Sequence, residues 1–230
     1  MIIVKIGLKV AVLLSGIAGT VVALASYGFI PTLLYFTNMS NILAAVVAGI
    51  FLYFEIAKKE VKPFFHTLRF IATSGIALTF VVFTTILMPS VILQGYPSYL
   101  YSANNIFLHN LTPILMMLDY MLYARKEENI KSLYALIFPI GYLIFSLALN
   151  PLTGVLYDGG LKVPYFFLDF YNNGWFTLNQ GFLKIGTFWW LLLAIPLSSL
   201  IGYVLIIIRR KFGPYYYNED KLEEVTNNAN

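Results

Sequence analysis

Cysteine is absent from the 230 residues, which excludes disulfides, thiol nucleophiles and cysteine-ligated zinc or iron–sulfur centres. Histidine is nearly absent: His66 and His109 alone make bis-histidine haem ligation a poor prospect, and no cofactor or metal is expected. Charge is scarce as well, at 11% of residues against about 25% in soluble domains. Apolar residues make up 59% of the chain against roughly 45–50% in soluble domains, more than a water-facing surface of this size conceals. Lipid is therefore the expected solvent for that surface.

What is present is a series of long hydrophobic runs. A helix needs about 20 residues to cross about 30 Å of hydrocarbon. Six runs reach that length, near Ile6–Tyr27, Pro31–Phe54, Thr67–Met88, Asn104–Tyr123, Leu133–Asn150 and Gly186–Ile208. None alternates polar with apolar residues, and lipid requires each segment to satisfy its own backbone groups, so helices are predicted. The expected fold is all-α, a six-transmembrane-helix bundle in one domain over residues 1–213, with a tail at 214–230. Small residues in Ser15-Gly16-Ile17-Ala18-Gly19 and Ala44-Ala45-Val46-Val47-Ala48-Gly49 suit close helix approach.

The net charge of +4 invites a nucleic-acid partner, but its placement explains it otherwise. Thirteen of the 15 Lys and Arg residues fall on one set of alternate connections: Lys5 and Lys9; Lys58, Lys59, Lys62 and Arg69; Arg125, Lys126 and Lys131; Arg209, Arg210, Lys211 and Lys221. Only Lys162 and Lys184 fall on the other set. Cytoplasmic loops retain positive charge, so a cell-membrane protein with both termini cytoplasmic is predicted, with membrane lipids and no nucleic acid as partners. The first run also has the form of a signal peptide, with Ala23-Leu24-Ala25 resembling a cleavage site. Retention as the first span is the favoured reading.

One external connection, residues 151–185, is long and crowded with Tyr157, Tyr165, Phe166, Phe167, Phe170, Tyr171, Trp175 and Phe176. Amphipathic rings favour the headgroup layer, so short interfacial helices capping the bundle are expected, either as an anchor or as a lid.

Polar groups inside the spans are costly unless they meet a partner or water. The second run carries Thr37-Asn38-Met39-Ser40-Asn41, and the fourth carries Asn104, Asn105, His109, Asn110, Thr112 and Asp119. Thr37 and His109 each lie five or six residues inward from an external end, roughly 8–9 Å at 1.5 Å per residue, so they share a depth. A neutral imidazole at hydrogen-bond distance can accept the proton of a threonine hydroxyl that attacks an ester carbonyl. Asn38, Asn41 or Asn105 would donate to the oxyanion or orient the ring. The competing interpretation is interhelical hydrogen bonding with no chemistry. Asp119 lies about 15 Å deeper than His109 and pairs more naturally with Arg69. Asp169 is the better candidate to approach the outer site, as a ring orienter or a cap acceptor.

Four motifs resemble a known family: Tyr35-Phe36-Thr37-Asn38-Met39-Ser40-Asn41, His109 followed by Pro113 and Asp119, Pro139-Ile140-Gly141-Tyr142, and Pro164-Tyr165-Phe166-Phe167-Leu168-Asp169. Spread over Leu33 to Asp169, they look like the prokaryotic six-transmembrane relatives of the androgen-induced protein and ADTRP. The resemblance implies an intramembrane hydrolase of fatty acid esters of hydroxy fatty acids, with a threonine nucleophile and a later histidine; here those positions are Thr37 and His109. The expected substrate is a lipid ester, and the alternative is a non-enzymatic lipid-binding protein or small transporter.

Overall fold

The computed structural model describes residues 2–93, 95–124, 129–157, 160–178 and 185–212. Arg125, Lys126, Glu127, Glu128, Asp158, Lys184 and the tail at 213–230 lie outside the described residues. The described chain is helical without strands. Helix α1 is Ile2–Tyr27, α2 is the short Phe29–Leu34, and α3 is Phe36–Ile56. Helix α4 runs continuously over Pro63–Leu93, with a π-helical turn at Phe83–Leu87. Helix α5, residues 103–123, joins Ala103–Asn105, the π-helical Ile106–Leu111 and Thr112–Tyr123. Helix α6 is Ser132–Thr153, beginning with a 3-10 turn, and α7 is Thr187–Phe212.

Five of these helices, α1, α3, α4, α6 and α7, are long and apolar enough to cross a membrane. The fourth predicted run forms a helix, α5, but its Asn, His and Asp residues keep it out of the apolar set. The second differs in a more consequential way. The predicted run from Pro31 to Phe54 is broken at Tyr35, which adopts an extended conformation (φ −100°, ψ 137°). Leu34, which ends α2, gives its carbonyl to the Tyr142 hydroxyl of α6 at 2.8 Å. The break converts Thr37 from a mid-helix residue into one in the first turn of α3.

Two packed clusters share α4. In one, Val12, Ala44, Val47, Phe51, Ile76 and Met116 join α1, α3, α4 and α5. In the other, Phe70, Ala77, Tyr120, Ala135, Leu205 and Ile206 join α4, α5, α7 and the start of α6. Small residues set the spacing, because association in lipid rests on packing rather than on water exclusion. A Cβ on Gly16 would lie 2.9 Å from the Cβ of Ala45, and one on Gly19 would lie 2.7 Å from the Leu108 side chain. The Ser15–Gly19 stretch thus brings α1 against both α3 and the π turn of α5. Ala23, within the signal-peptide-like motif, is itself fully buried.

Leu14, Val46, Leu118, Ile144, Leu193 and Leu200 project outward from five different helices. An outer face of this kind marks a membrane-embedded protein. The long connection contains the short helical turns Phe166–Leu168 and Phe170–Asn173, matching the expectation of local helices there.

Candidate active site

The separation that the sequence leaves open, 72 residues between Thr37 and His109, closes in space. Thr37 Oγ1 lies 3.4 Å from His109 Nε2. This is longer than a tight hydrogen bond.

The wide turn that carries His109 has a local cause. Pro113 has no N–H, so the carbonyl five residues earlier, that of Leu108, has no π-helical donor. The Asn41 side chain fills the gap, donating from Nδ2 to Leu108 O at 2.9 Å and to Thr37 O at 2.8 Å. Asn41 is therefore a brace between the two helices rather than a free oxyanion donor, and both hydrogens of its amide nitrogen are committed. Ser40 adds a second strut, donating to Thr37 O at 2.9 Å and sharing a 2.9 Å bond with Thr79 of α4.

The imidazole of His109 is oriented by packing. It stacks on Phe83, with ring centroids 4.0 Å apart and planes inclined by 18°. Its Nδ1 is buried with no hydrogen-bond partner among the described residues, so neither an asparagine nor a carboxylate orients the ring. Phe83 opens the π turn of α4, so two wide turns meet at this ring. Asn105 is buried; its backbone N–H donates to Ser102 Oγ at 3.3 Å, and its carbonyl accepts from Asn110 at 3.2 Å. Asn38 is buried beside Thr37 on α3.

Asp169 caps its own loop turn. Its carboxylate accepts from the backbone N–H of Asn172 at 3.2 Å and from the Asn172 side chain at 2.6 Å, capping the turn at Phe170–Asn173. The loop residue that does reach Thr37 is Tyr165. Burial pushes its phenol pKa up, while contacts with the Thr37 hydroxyl, the backbone amides of Thr37 and Phe36, and Tyr142 pull it back. Tyr165 therefore sits over the opening turn of α3, where backbone N–H groups lack helical acceptors. Its ring packs edge-on against Tyr35 and face-to-face with Phe167, at 5.9 and 4.9 Å. Burial also pushes the neighbouring Tyr157 up, to about 12.

Thr37 lines a cavity of about 130 Å³. Helices α6 and α7 meet chiefly where Gly202 passes Ala135, and Ser198 donates to Ala135 O at 3.1 Å. Farther along they part, and the gap is walled by Ile140 and Leu143 of α6, Leu191 and Ile195 of α7, and the Tyr165–Leu168 turn. The cavity is almost wholly apolar, with the Thr37 hydroxyl among its few polar features.

No family model, curated protein or solved structure matches the chain.

At the opposite end of the bundle, Asp119 has the partner expected and a second that was not. Arg69 Nη2 binds its Oδ2 at 2.5 Å and its backbone carbonyl at 2.7 Å. Lys9 Nζ binds Oδ1 at 2.8 Å. Lys9, Arg69 and Arg209 are 1%, 2% and 0% exposed, so three residues counted among the cytoplasmic charges are interior groups. Glu55 pairs with Lys5 at 2.6 Å. His66 lies at this end too, edge-on to Phe51 and remote in sequence from His109.

Proposed function

We propose that the chain is an intramembrane lipid-ester hydrolase with Thr37 as nucleophile and His109 as general base. The observation that carries this reading is the 3.4 Å approach of the two side chains beside an apolar cavity shaped for an acyl chain. Thr37 Oγ1 attacks the ester carbonyl carbon as its proton passes to His109 Nε2. The tetrahedral intermediate collapses, and the alcohol leaves with that proton, giving an acyl ester on Thr37. Water, deprotonated by His109, then releases the fatty acid and returns the proton to Thr37. The first-turn N–H groups of α3, now beside the Tyr165 hydroxyl, are suited to the oxyanion, replacing the side-chain donors anticipated at Asn38, Asn41 and Asn105.

The reading includes α5 as a sixth crossing. Its 21 residues at 1.5 Å each span about 30 Å, and its polar side chains are turned toward α1, α3 and α4. The one-sided Lys and Arg distribution supports cytoplasmic termini and a substrate arriving from the outer leaflet. Asp119, saturated by two cations and embedded in a continuous helix, does not favour a transport path. A non-enzymatic lipid binder has one observation in its favour, the nearly complete lack of polar lining in the cavity.

Purified protein tests the choice. Thr37→Ala is expected to abolish release of fatty acid from a branched fatty acyl ester, and labelling by a fluorophosphonate probe, while leaving the thermal midpoint nearly unchanged. Retained turnover rejects the assignment, and co-purified lipid without turnover in the unmodified protein favours the binder.

A further inference from the structure

A second cavity, of about 60 Å³, lies at the Lys5 end, between the start of α1, the end of α3, the start of α4 and the end of α5. It is distinct from the Thr37 cavity and shares no lining residue with it. Among the described residues, four cations line it, Lys5, Lys9, Lys59 and Arg69, against one carboxylate, Glu55. Asp119 lies behind the wall and neutralises one further charge through Lys9 and Arg69, so among the described residues the four cations face two carboxylates.

The donors are not exhausted by these pairings. Lys5 is paired with Glu55, and Lys59 donates to the Tyr53 hydroxyl at 2.8 Å. An ammonium carries three donors, and each of these makes one such bond. Arg69 Nε is buried with no hydrogen-bond partner among the described residues. A water needs roughly 10–15 Å³ of such volume, so the cavity admits about four water-sized positions, room for a tetrahedral oxyanion. The walls are fixed on one side by Asp119 and on the other by the cation–π contact of Arg69 over Phe51, at 4.7 Å.

We infer that this cavity is a phosphate-binding site, taking the phosphomonoester of an anionic lipid headgroup or a free phosphate ion. Basic pockets between helices at the membrane surface are suited to such headgroups, and planar guanidinium and ammonium donors together match phosphate oxygens. The inference is independent of the chemistry proposed at Thr37.

The test uses the full chain in neutral detergent at constant ionic strength, reading the thermal midpoint against added phosphatidic acid, phosphatidylcholine and inorganic phosphate. Phosphatidic acid is expected to raise the midpoint, and phosphatidylcholine to leave it in place. A matching rise with inorganic phosphate identifies the occupant as the soluble ion, and its absence identifies the headgroup. A midpoint unmoved by both overturns the site. Lys5→Gln with Lys59→Gln is expected to weaken binding about fivefold for each lysine removed. Glu55→Gln is expected to tighten it, an opposite change that loss of folding does not mimic. Binding that is unaltered in all of these variants lies elsewhere on the protein and rejects the assignment.

Discussion

At the Lys5 end of the bundle, the carboxylate of Asp119 meets an ammonium and a guanidinium, which themselves lie over the rings of Tyr123 and Phe51. At the Thr37 end, His109 Nδ1, Asn41 Oδ1 and the Thr112 hydroxyl are buried without hydrogen-bond partners among the described residues. Both ends lie in helices of similar polarity, but they treat it differently. One pairs its carboxylate with two cations and, among the described residues, leaves open a cationic donor, Arg69 Nε. The other holds a hydroxyl and an imidazole close together while leaving polar valences open, which natural folds seldom do without a use for them.

The contrast can be broken most severely at Asp119. Asp119→Ala leaves Lys9 and Arg69 buried and uncompensated, a loss of about 3–5 kcal/mol, read as a collapse in folded yield and thermal midpoint. Thr37→Ala, at the other end, is expected to spare both. A smaller effect is expected from Asn41→Leu, which strips the Leu108 carbonyl of its donor. The stability cost is about 1–3 kcal/mol, with fluorophosphonate labelling of Thr37 reduced as the His109 turn shifts.

Alkaline titration sharpens the comparison further, because Tyr157 belongs to the Thr37 end. Its folded pKa is raised from 10.0 to about 12, so the neutral phenol favours the folded state. That stability is fully present below pH 10 and is lost as pH rises toward 12. Thermal midpoints recorded across this window are expected to fall less steeply in Tyr157→Phe. The smallest change is expected from Lys5→Ala: this pair is one-fifth exposed, and its removal costs under about 1 kcal/mol in denaturant titrations.

The helices were legible because their signal is local. Runs of Leu, Ile and Val mark α1, α3, α4, α6 and α7 irrespective of what surrounds them. The Thr37–His109 approach was legible from matched offsets along two runs, although the break at Tyr35 leaves Thr37 in the first turn of α3. The Asp119–Arg69 pair followed from the cost of an unpaired charge in hydrocarbon. Tyr165, Lys9 and the Tyr35 break were not legible in the same way. Tyr165 reads as one aromatic in a crowded loop until Tyr35 and Tyr142 select it, and Lys9 reads as an ordinary end charge until Asp119 faces it. The break at Tyr35 depends on the hydroxyl of Tyr142, 108 residues from the carbonyl it holds. The π turn at His109 has a visible half, Pro113, and a hidden half, the amide of Asn41.

Helix α4 has 31 residues, about 46 Å of rod, whereas the oily interior of a bilayer is about 30 Å deep. It must therefore lean or protrude. Phe83 comes twenty residues after Pro63, about 30 Å along that rod. On the proposed reading, with Pro63 at one edge of the oily layer, the ring that backs His109 falls near the other edge, where an ester and the water that cleaves it would meet.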